Sequence, residues 1–374
     1  MGDKAHQKHV KLARPDFGEW GRCEFAILGN VCSDILSYAI QIKDFFYDTY
    51  SVAYIDASHS DESEFSNVAF ASVQHADHLQ FSTNHNHNLY QSRLTYFDTD
   101  IQIVNGNHFT ASRQIVFLDD RKKESLERKL DRLTDVKFIV KKSEDQEVYS
   151  FLKRFVNEHT IIISEENIPK LCERIQDIKL SSEKINGLIL AGGKSTRMGS
   201  DKAQINYHGQ SQVDYLSEQL KQKCTDVFVS VRKEQASDYS IPVISDTYAN
   251  FGPLGGILSA FRHDPNSAWL TIATDLPFVS EEAIDELFNH RDKSKIATCF
   301  IKSGSEFPDP LFTIWEPKAY KSLLNFLILG YSCPRKVLIN SDVKVVPISD
   351  DQILMNVNNP EELEKAKKII QNSN

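Results

Sequence analysis

The residues best suited to chemistry form the run Leu190-Ala191-Gly192-Gly193-Lys194-Ser195-Thr196-Arg197-Met198-Gly199-Ser200-Asp201-Lys202, which directly follows a short apolar segment. Such a run builds a phosphate cradle. Glycines let the backbone approach a charged ligand, and free N–H groups point at its oxygens. Arg197 and Lys202 set cationic charge against a triphosphate. A lone Gly-Gly-Lys reads as a solvated turn. Two glycines, a Gly-Ser step and two separated cations after a buried strand read as phosphate-binding. The loop carries neither G-x-x-x-x-G-K-[ST] nor G-x-G-x-x-G.

A second run, Thr271-Ile272-Ala273-Thr274-Asp275-Leu276-Pro277, delivers Asp275 at the carboxyl end of an apolar strand. Open α/β sheets bind ligands at that edge. A carboxylate there can hold Mg²⁺, which takes one or two carboxylates plus substrate phosphates. Alone, Asp275 reads equally well as the cap of the next turn; beside the glycine loop it reads as the metal ligand. Three more segments fit one cleft. Ile244-Ser245-Asp246 ends a strand with a carboxylate. Phe251-Gly252-Pro253-Leu254-Gly255-Gly256 opens a helix and suits close backbone approach to a nucleotide. Asn356-Val357-Asn358-Asn359-Pro360 precedes the last helix, with Asn359 as its cap and Asn356 and Asn358 left for ligand.

The elements that must position these residues alternate strand and helix throughout. In the first half, strands are expected at 25–28, 51–55, 101–104, 115–118, 138–140 and 160–163. Helices are expected at 33–46, 122–133, 145–156 and 168–178. In the second half, strands are expected at 187–190, 227–231, 243–245, 269–273, 297–301, 311–315 and 343–347. Helices follow at 212–223, 254–263, 281–290, 317–327 and 360–370. Apolar runs without strict alternation are those of parallel strands buried on both faces. The fold class expected is α/β: two Rossmann-like three-layer α/β/α domains with mainly parallel sheets. The polar stretch 177–186 separates them, giving domains at 1–180 and 184–374.

Composition narrows the function classes. The 374 residues carry 43 Lys+Arg against 52 Asp+Glu, a net charge of −9, with 41% hydrophobic and 25% charged residues. That balance supports packed cores and excludes disorder. An acidic chain without a basic tract lacks the footprint of a nucleic-acid binder. No apolar run approaches the roughly 18–20 residues that span a bilayer. Residues 1–15 are polar and lack a signal peptide's apolar region. The six cysteines contain no C-x-x-C pair, so reduced thiols and a cytoplasmic location are expected. His75, His78, His85 and His87 lie in a polar, Asn-rich stretch read as a solvated loop rather than a zinc site.

The second half resembles the molybdenum cofactor guanylyltransferase family of MobA-type nucleotidyltransferases. The resemblance is carried by Leu190-Ala191-Gly192-Gly193, Arg197-Met198-Gly199, Asp201-Lys202, Asp246, 252–256, Thr274-Asp275-Leu276-Pro277, Pro310-Leu311-Phe312 and 356–363. It implies Mg²⁺-dependent transfer of GMP from GTP to molybdopterin with release of pyrophosphate. By it, Leu190, Ala191, Gly192 and Gly193 hold nucleotide, Lys202 contacts phosphates, Asp246 falls at a GTP-binding position and Asp275 at the metal position. Arg197, Lys202 and Asp275 then carry catalysis. Ser230 stands where the family often has Asn with a nucleotide contact. Partners implied are GTP, molybdopterin and a molybdoenzyme or insertion protein, with the chain as monomer or homodimer and neither nucleic acid nor membrane involved. The alternatives are a CTP-using or sugar-phosphate nucleotidyltransferase, and a non-catalytic molybdopterin or nucleotide carrier.

The first half resembles, in order and strand pattern, the MobB family of GTP-binding adaptors of the same pathway. The segments are 27–37, 51–59 and 100–106. A working P-loop needs Gly, Lys and Ser/Thr where this chain has Asp34, Ile35 and Leu36. The family's acidic residue before the glycine appears as Asn105. The resemblance implies a degenerate, P-loop-type domain that neither binds nor hydrolyses GTP.

Overall fold

The computed structural model describes residues 17–57, 70–74, 79–83, 89–182, 184–192, 202–232 and 239–373. The chain divides into two compact units, Met1–Lys179 and Leu180–Asn374.

In unit 1 the chain runs β1 (Glu24–Leu28), α1 (Cys32–Phe45), β2 (Val52–Ile55), β3 (Phe70–Gln74), β4 (Leu79–Thr83), α2 (Leu89–Thr95), β5 (Ile101–Asn105) and β6 (Arg113–Phe117). It continues through α3 (Lys123–Glu127), β7 (Val136–Lys141), β8 (Ile161–Ser164) and α4 (Ile168–Ser181). Six strands form one parallel sheet in the order β2-β5-β1-β6-β7-β8. Side chains alternate between two apolar layers. Phe25, Ile27, Ile103 and Phe117 pack with α1 and α4. Ala26, Leu28, Val104 and Val116 pack with Trp20, Leu126 and Leu152. Burial on both faces explains why β1 and β5 are buried along their whole length.

Two expected helices are cut short. Residues 122–133 give only the five-residue α3 between two 3₁₀ turns. Arg128 and Arg132, four apart, repel along a continued helix. Of 145–156 only Ser150–Phe155 coils, as 3₁₀. Gln146 ties the preceding backbone elsewhere, accepting from Lys142 N at 2.8 Å and donating to Leu118 O at 2.9 Å. The Asn-rich stretch read as a loop contains the antiparallel pair β3–β4 and, after it, α2; its four histidines lie outside the described residues.

In unit 2 the order is β9 (Ile185–Leu190), α5 (Gln212–Lys221), β10 (Val227–Val231), β11 (Val243–Ser245), α6 (Pro253–His263), β12 (Ala268–Ala273) and α7 (Glu281–Asn289). It ends with β13 (Ala297–Ile301), β14 (Phe312–Trp315), α8 (Ala319–Ile328), α9 (Pro334–Ile339), β15 (Lys344–Pro347) and α10 (Pro360–Ser373). The sheet order is β11-β10-β9-β12-β14-β13-β15. Its strands are parallel except β14, which runs against both β12 and β13. Helices α5 and α7 cover one face. Helices α6, α8 and α9 cover the other. Both units are thus α/β with interleaved helices and mainly parallel sheets. Helix α9, six residues opened by Pro334, has no counterpart among the expected helices.

Candidate nucleotide site

The carboxyl ends of β9, β10, β11 and β12 form one edge of the second sheet. Leu190, Ala191, Gly192, Asp246 and Asp275, all singled out above, stand on it. Leu190 ends β9, with Ala191 and Gly192 following. The Leu190 carbonyl accepts from Thr274 N at 3.3 Å, which ties the glycine segment to the segment carrying Asp275. The Ala191 N–H is committed to Ser230 O at 2.9 Å, so it is not one of the open donors expected of a phosphate loop. Gly193 and Arg197, with the rest of 193–201, lie outside the described residues.

Asp275 follows β12 directly. Its Oδ1 is buried without a hydrogen-bond partner among the described residues. Its Oδ2 lies 3.9 Å from Lys202 Nζ. Burial pushes the Asp275 carboxyl above its ordinary value; Lys202 pulls it back and Asp309 adds to the rise. Lys202 opens a short 3₁₀ turn and donates to Asn358 Oδ1 at 2.8 Å. The Asn-rich turn reaches the same place, since Val357 N donates to Asp275 O at 2.9 Å. Asn356 Oδ1 is a second buried acceptor without a partner among the described residues. Asn359 caps α10, accepting from Glu362 N at 2.9 Å, as its position before Pro360 predicts.

Asp246 follows β11 and accepts from Ser230 Oγ at 2.9 Å. Burial raises its carboxyl, partly offset by that hydrogen bond and by Arg232. A Cβ on Gly192 would sit 3.6 Å from Asp246 Oδ2, so Gly192 and Asp246 face one another. Three strand spacings separate the β11 and β12 ends, about 14 Å. The Asp246 end is therefore a different subsite from the Asp275 end.

Two expectations change here. Ser230 is buried and spends its hydroxyl on Asp246, which makes it a support for that carboxylate. Gly255 and Gly256 do not face a ligand. They lie inside α6, where added Cβ atoms would run into Tyr248 O and into Ser230 Oγ with Leu190 Cδ2. These glycines let α6 lie close on the sheet. Gly252 alone, at φ +56°, needs glycine for its backbone.

Sequence reasoning passed over Asp309. Its Oδ1 accepts from Leu311 N at 2.8 Å and Phe312 N at 3.2 Å, and Arg335 lies 4.0 Å from its Oδ2. Burial lifts this carboxyl too. The available signal was a charge held between Pro308 and Pro310 immediately before an apolar strand.

The donor set suits a hard dication. Two orphaned oxygen acceptors, a carboxylate and an amide, sit on adjoining segments beside an ammonium, and Mg²⁺ binds through few protein oxygens plus substrate phosphates. Among the described residues no group of three or more His, Cys, Asp or Glu is placed to hold a metal unaided. A triphosphate would therefore have to supply the remaining oxygens.

Residues 187–344 match the MobA-like NTP transferase domain family. The chain is 33% identical over 186 residues to a molybdenum cofactor biosynthesis bifunctional protein of Synechocystis sp., a match covering 49% of this chain and 54% of that protein. It is 30% identical over 164 residues to a probable molybdenum cofactor guanylyltransferase of Clostridium perfringens, covering 44% of this chain and 76% of that one. It is 27% identical over 186 residues to a molybdenum cofactor guanylyltransferase of Shewanella putrefaciens, covering 48% and 93%. The chain thus spans about half the length of the Synechocystis relative and most of the other two. Glycine segment, strand-end carboxylates and family match converge, and through its second unit the chain belongs to the MobA-like NTP transferase family and is a nucleotidyltransferase.

Proposed function

We propose that the chain transfers GMP from GTP to the terminal phosphate of molybdopterin, with Mg²⁺ as cofactor. The observation that carries this reading is Asp275 at the end of β12, with a buried Oδ1 lacking a partner among the described residues and Lys202 3.9 Å from its Oδ2. The names of the relatives support the guanylyl group and the molybdopterin acceptor.

In this reading Asp275, with Asn356 beside it, holds Mg²⁺ on the triphosphate. Bound there, the ion neutralises charge on the phosphoryl oxygens and on departing pyrophosphate. Lys202 is held by Asn358 so that its ammonium meets the phosphates, and Arg197 adds the second cation. Asp246 and Gly192 line the nucleoside end. An oxygen of the molybdopterin phosphate attacks the α-phosphorus of GTP; the new P–O bond forms as the bond to the β-phosphate oxygen breaks. No covalent intermediate on the protein is needed, so positioning and charge carry the rate.

The first unit is read as a degenerate MobB-like domain. Asp34 stands in the first turn of α1 and pairs with Arg121 at 2.6 Å. Gly29, at φ +78°, meets Phe117 O in the place of a Cβ, so packing against β6 accounts for it. No helix among the described residues is long and apolar enough to cross a membrane; the cytoplasmic location remains part of this proposal.

Pyrophosphate release with molybdopterin, Mg²⁺ and either GTP or CTP tests the reading. GTP-dependent release is the expected result. Equal or greater release with CTP replaces the base assignment, and none with either replaces the acceptor.

A further inference from the structure

Unit 1 holds a second constellation that nucleotidyl transfer does not use. Cys32, Asp56 and His108 follow β1, β2 and β5, three strands adjacent in the sheet, at their carboxyl ends. Open α/β sheets place reactive groups there. Cys32 is the first residue of the 14-residue α1, where unpaired amides and the helix dipole favour negative charge. Its Sγ lies 3.5 Å from His108 Nε2 and 3.7 Å from Asn107 Nδ2. His108 Nε2 is also 3.7 Å from Asp56 Oδ1. Asp56 in turn accepts from the Tyr54 hydroxyl at 2.6 Å and from Asn105 Nδ2 at 3.0 Å. Lys129 donates to Asn107 Oδ1 at 3.0 Å and brings a cation near the sulfur.

An independent observation points to a missing oxygen. Asn30 is wholly buried in the turn leading into α1, and its amide nitrogen has no partner among the described residues. Its Oδ1 accepts from Val31 N at 2.8 Å, and its backbone oxygen accepts from Asn107 Nδ2 at 3.0 Å. Asn107 thus bridges the Asn30 backbone carbonyl and the sulfur. A buried donor requires an acceptor, and a thiol is a poor one. An oxygen carried on the sulfur is a good one.

We propose that Cys32 is a nucleophilic thiol that reacts with a small peroxide, and that its sulfenic acid is held by His108, Asn107 and Asn30. His108 takes the thiol proton. The sulfur attacks one peroxide oxygen, and the S–O bond forms as the O–O bond breaks. Two electrons pass from sulfur to the peroxide. The leaving hydroxide or alkoxide takes the proton from His108 and departs as water or alcohol. The reactant is small because His108 and Asp56 are themselves only 18% and 27% exposed.

The molecule contains its own reference thiols. Cys333 is exposed, whereas Cys23, Cys172, Cys224 and Cys299 are buried. The full chain is treated with hydrogen peroxide and a dimedone trap, and the Cys32 and Cys333 peptides are quantified against time. Cys32 is expected to be labelled about fivefold to tenfold faster than the better exposed Cys333. His108→Gln is expected to bring Cys32 down to the Cys333 rate and leave Cys333 unchanged. Equal rates in the unaltered protein, or a Cys32 rate unmoved by His108→Gln, overturn the proposal. If that variant unfolds, the four buried cysteines become labelled, and Asp56→Asn replaces it. In the folded Asp56→Asn protein a slower Cys32 supports the proposal and an unmoved one overturns it.

Discussion

Lys202 Nζ donates to Asn358 Oδ1 at 2.8 Å and lies 3.9 Å from Asp275 Oδ2. The lysine is thereby aimed by one neutral and one charged acceptor from segments far apart in sequence. An ammonium held this way presents its remaining donors in a fixed direction, which a solvated lysine does not. Lys202→Ala should reduce kcat/KM for GTP by roughly tenfold to a few hundredfold, from about 1.5–3 kcal/mol for a charge-assisted hydrogen bond. Steady-state kinetics check this; unchanged constants would leave Lys202 as structure only.

Asp275→Asn removes the charge and keeps the shape. Turnover should fall by at least about a hundredfold, since a lost metal-ligand charge costs several kcal/mol in the transition state. The unfolding temperature should hold or rise, because the buried carboxylate pays for its desolvation in the native state. Near-normal turnover with Mg²⁺ would remove Asp275 from the site.

Protons and metal compete for a carboxylate whose affinity for protons is raised. Burial lifts Asp275, so its protonated fraction at mildly acid pH exceeds that of an exposed aspartate. The apparent Mg²⁺ affinity should weaken as pH falls, by up to about tenfold per unit once below the folded-state value. Activation by Mg²⁺ at pH 5 and pH 7.5, measured at fixed GTP, decides it. Equal half-saturation at both would refute the coupling.

Gly256→Ala should destabilise the second unit by about 1–3 kcal/mol, because its Cβ runs into Ser230 Oγ and Leu190 Cδ2. Adding Ser230→Ala should recover part of that loss and raise KM for the nucleotide by freeing Asp246. Thermal unfolding of the single and double variants reads the first effect, and KM the second. Additive losses would show that Ser230 is not the obstacle.

Asp119 is 2% exposed at its side chain and accepts from Arg121 Nε and Lys142 Nζ, both at 2.9 Å. Arg121 first, then Lys142, holds its carboxyl well below the usual range. A depressed folded-state value means that the stabilisation is present above the unfolded value near 4 and is lost as pH falls below it. Asp119→Asn should cost roughly 1–3 kcal/mol at pH 7, with the gap to the unaltered protein narrowing toward pH 3. Urea unfolding at both values measures it; a gap that widens on acidification reverses the argument.

Much of the frame could be read from residues alone. The runs 227–231, 243–245 and 297–301 match their strands end for end, because these strands are short and mostly apolar and are bounded by polar or turn residues. Ser280 and Asn359 mark helix starts for the same local reason. What escaped depended on tertiary partners. Residues 145–156 have helical periodicity, yet Gln146 and Tyr149 find better partners in Leu118 O and Asp120. Gly255 and Gly256 resemble a ligand loop until Tyr248 and Ser230 are seen against them. Asp309 gives no periodic signal: its burial and its hold on the Leu311 and Phe312 amides arise only in the folded chain.

Strand β14 enters the second sheet head-first at the ligand edge, because Phe312 pairs with Ile272 and Trp315 with Trp269. Strands β9 and β12 leave the sheet at that edge and reach the strands that follow them, β10 and β13, only by way of α5 and α7. The reversed strand is instead joined to β13 by a ten-residue hairpin loop, 302–311, which overhangs the rim. Residues added to or taken from this loop change the rim without moving a helix or shifting a register. The reversal therefore gives this sheet a place where the rim can change in length while β9 and β12, and the carboxylate they position, stay as they are.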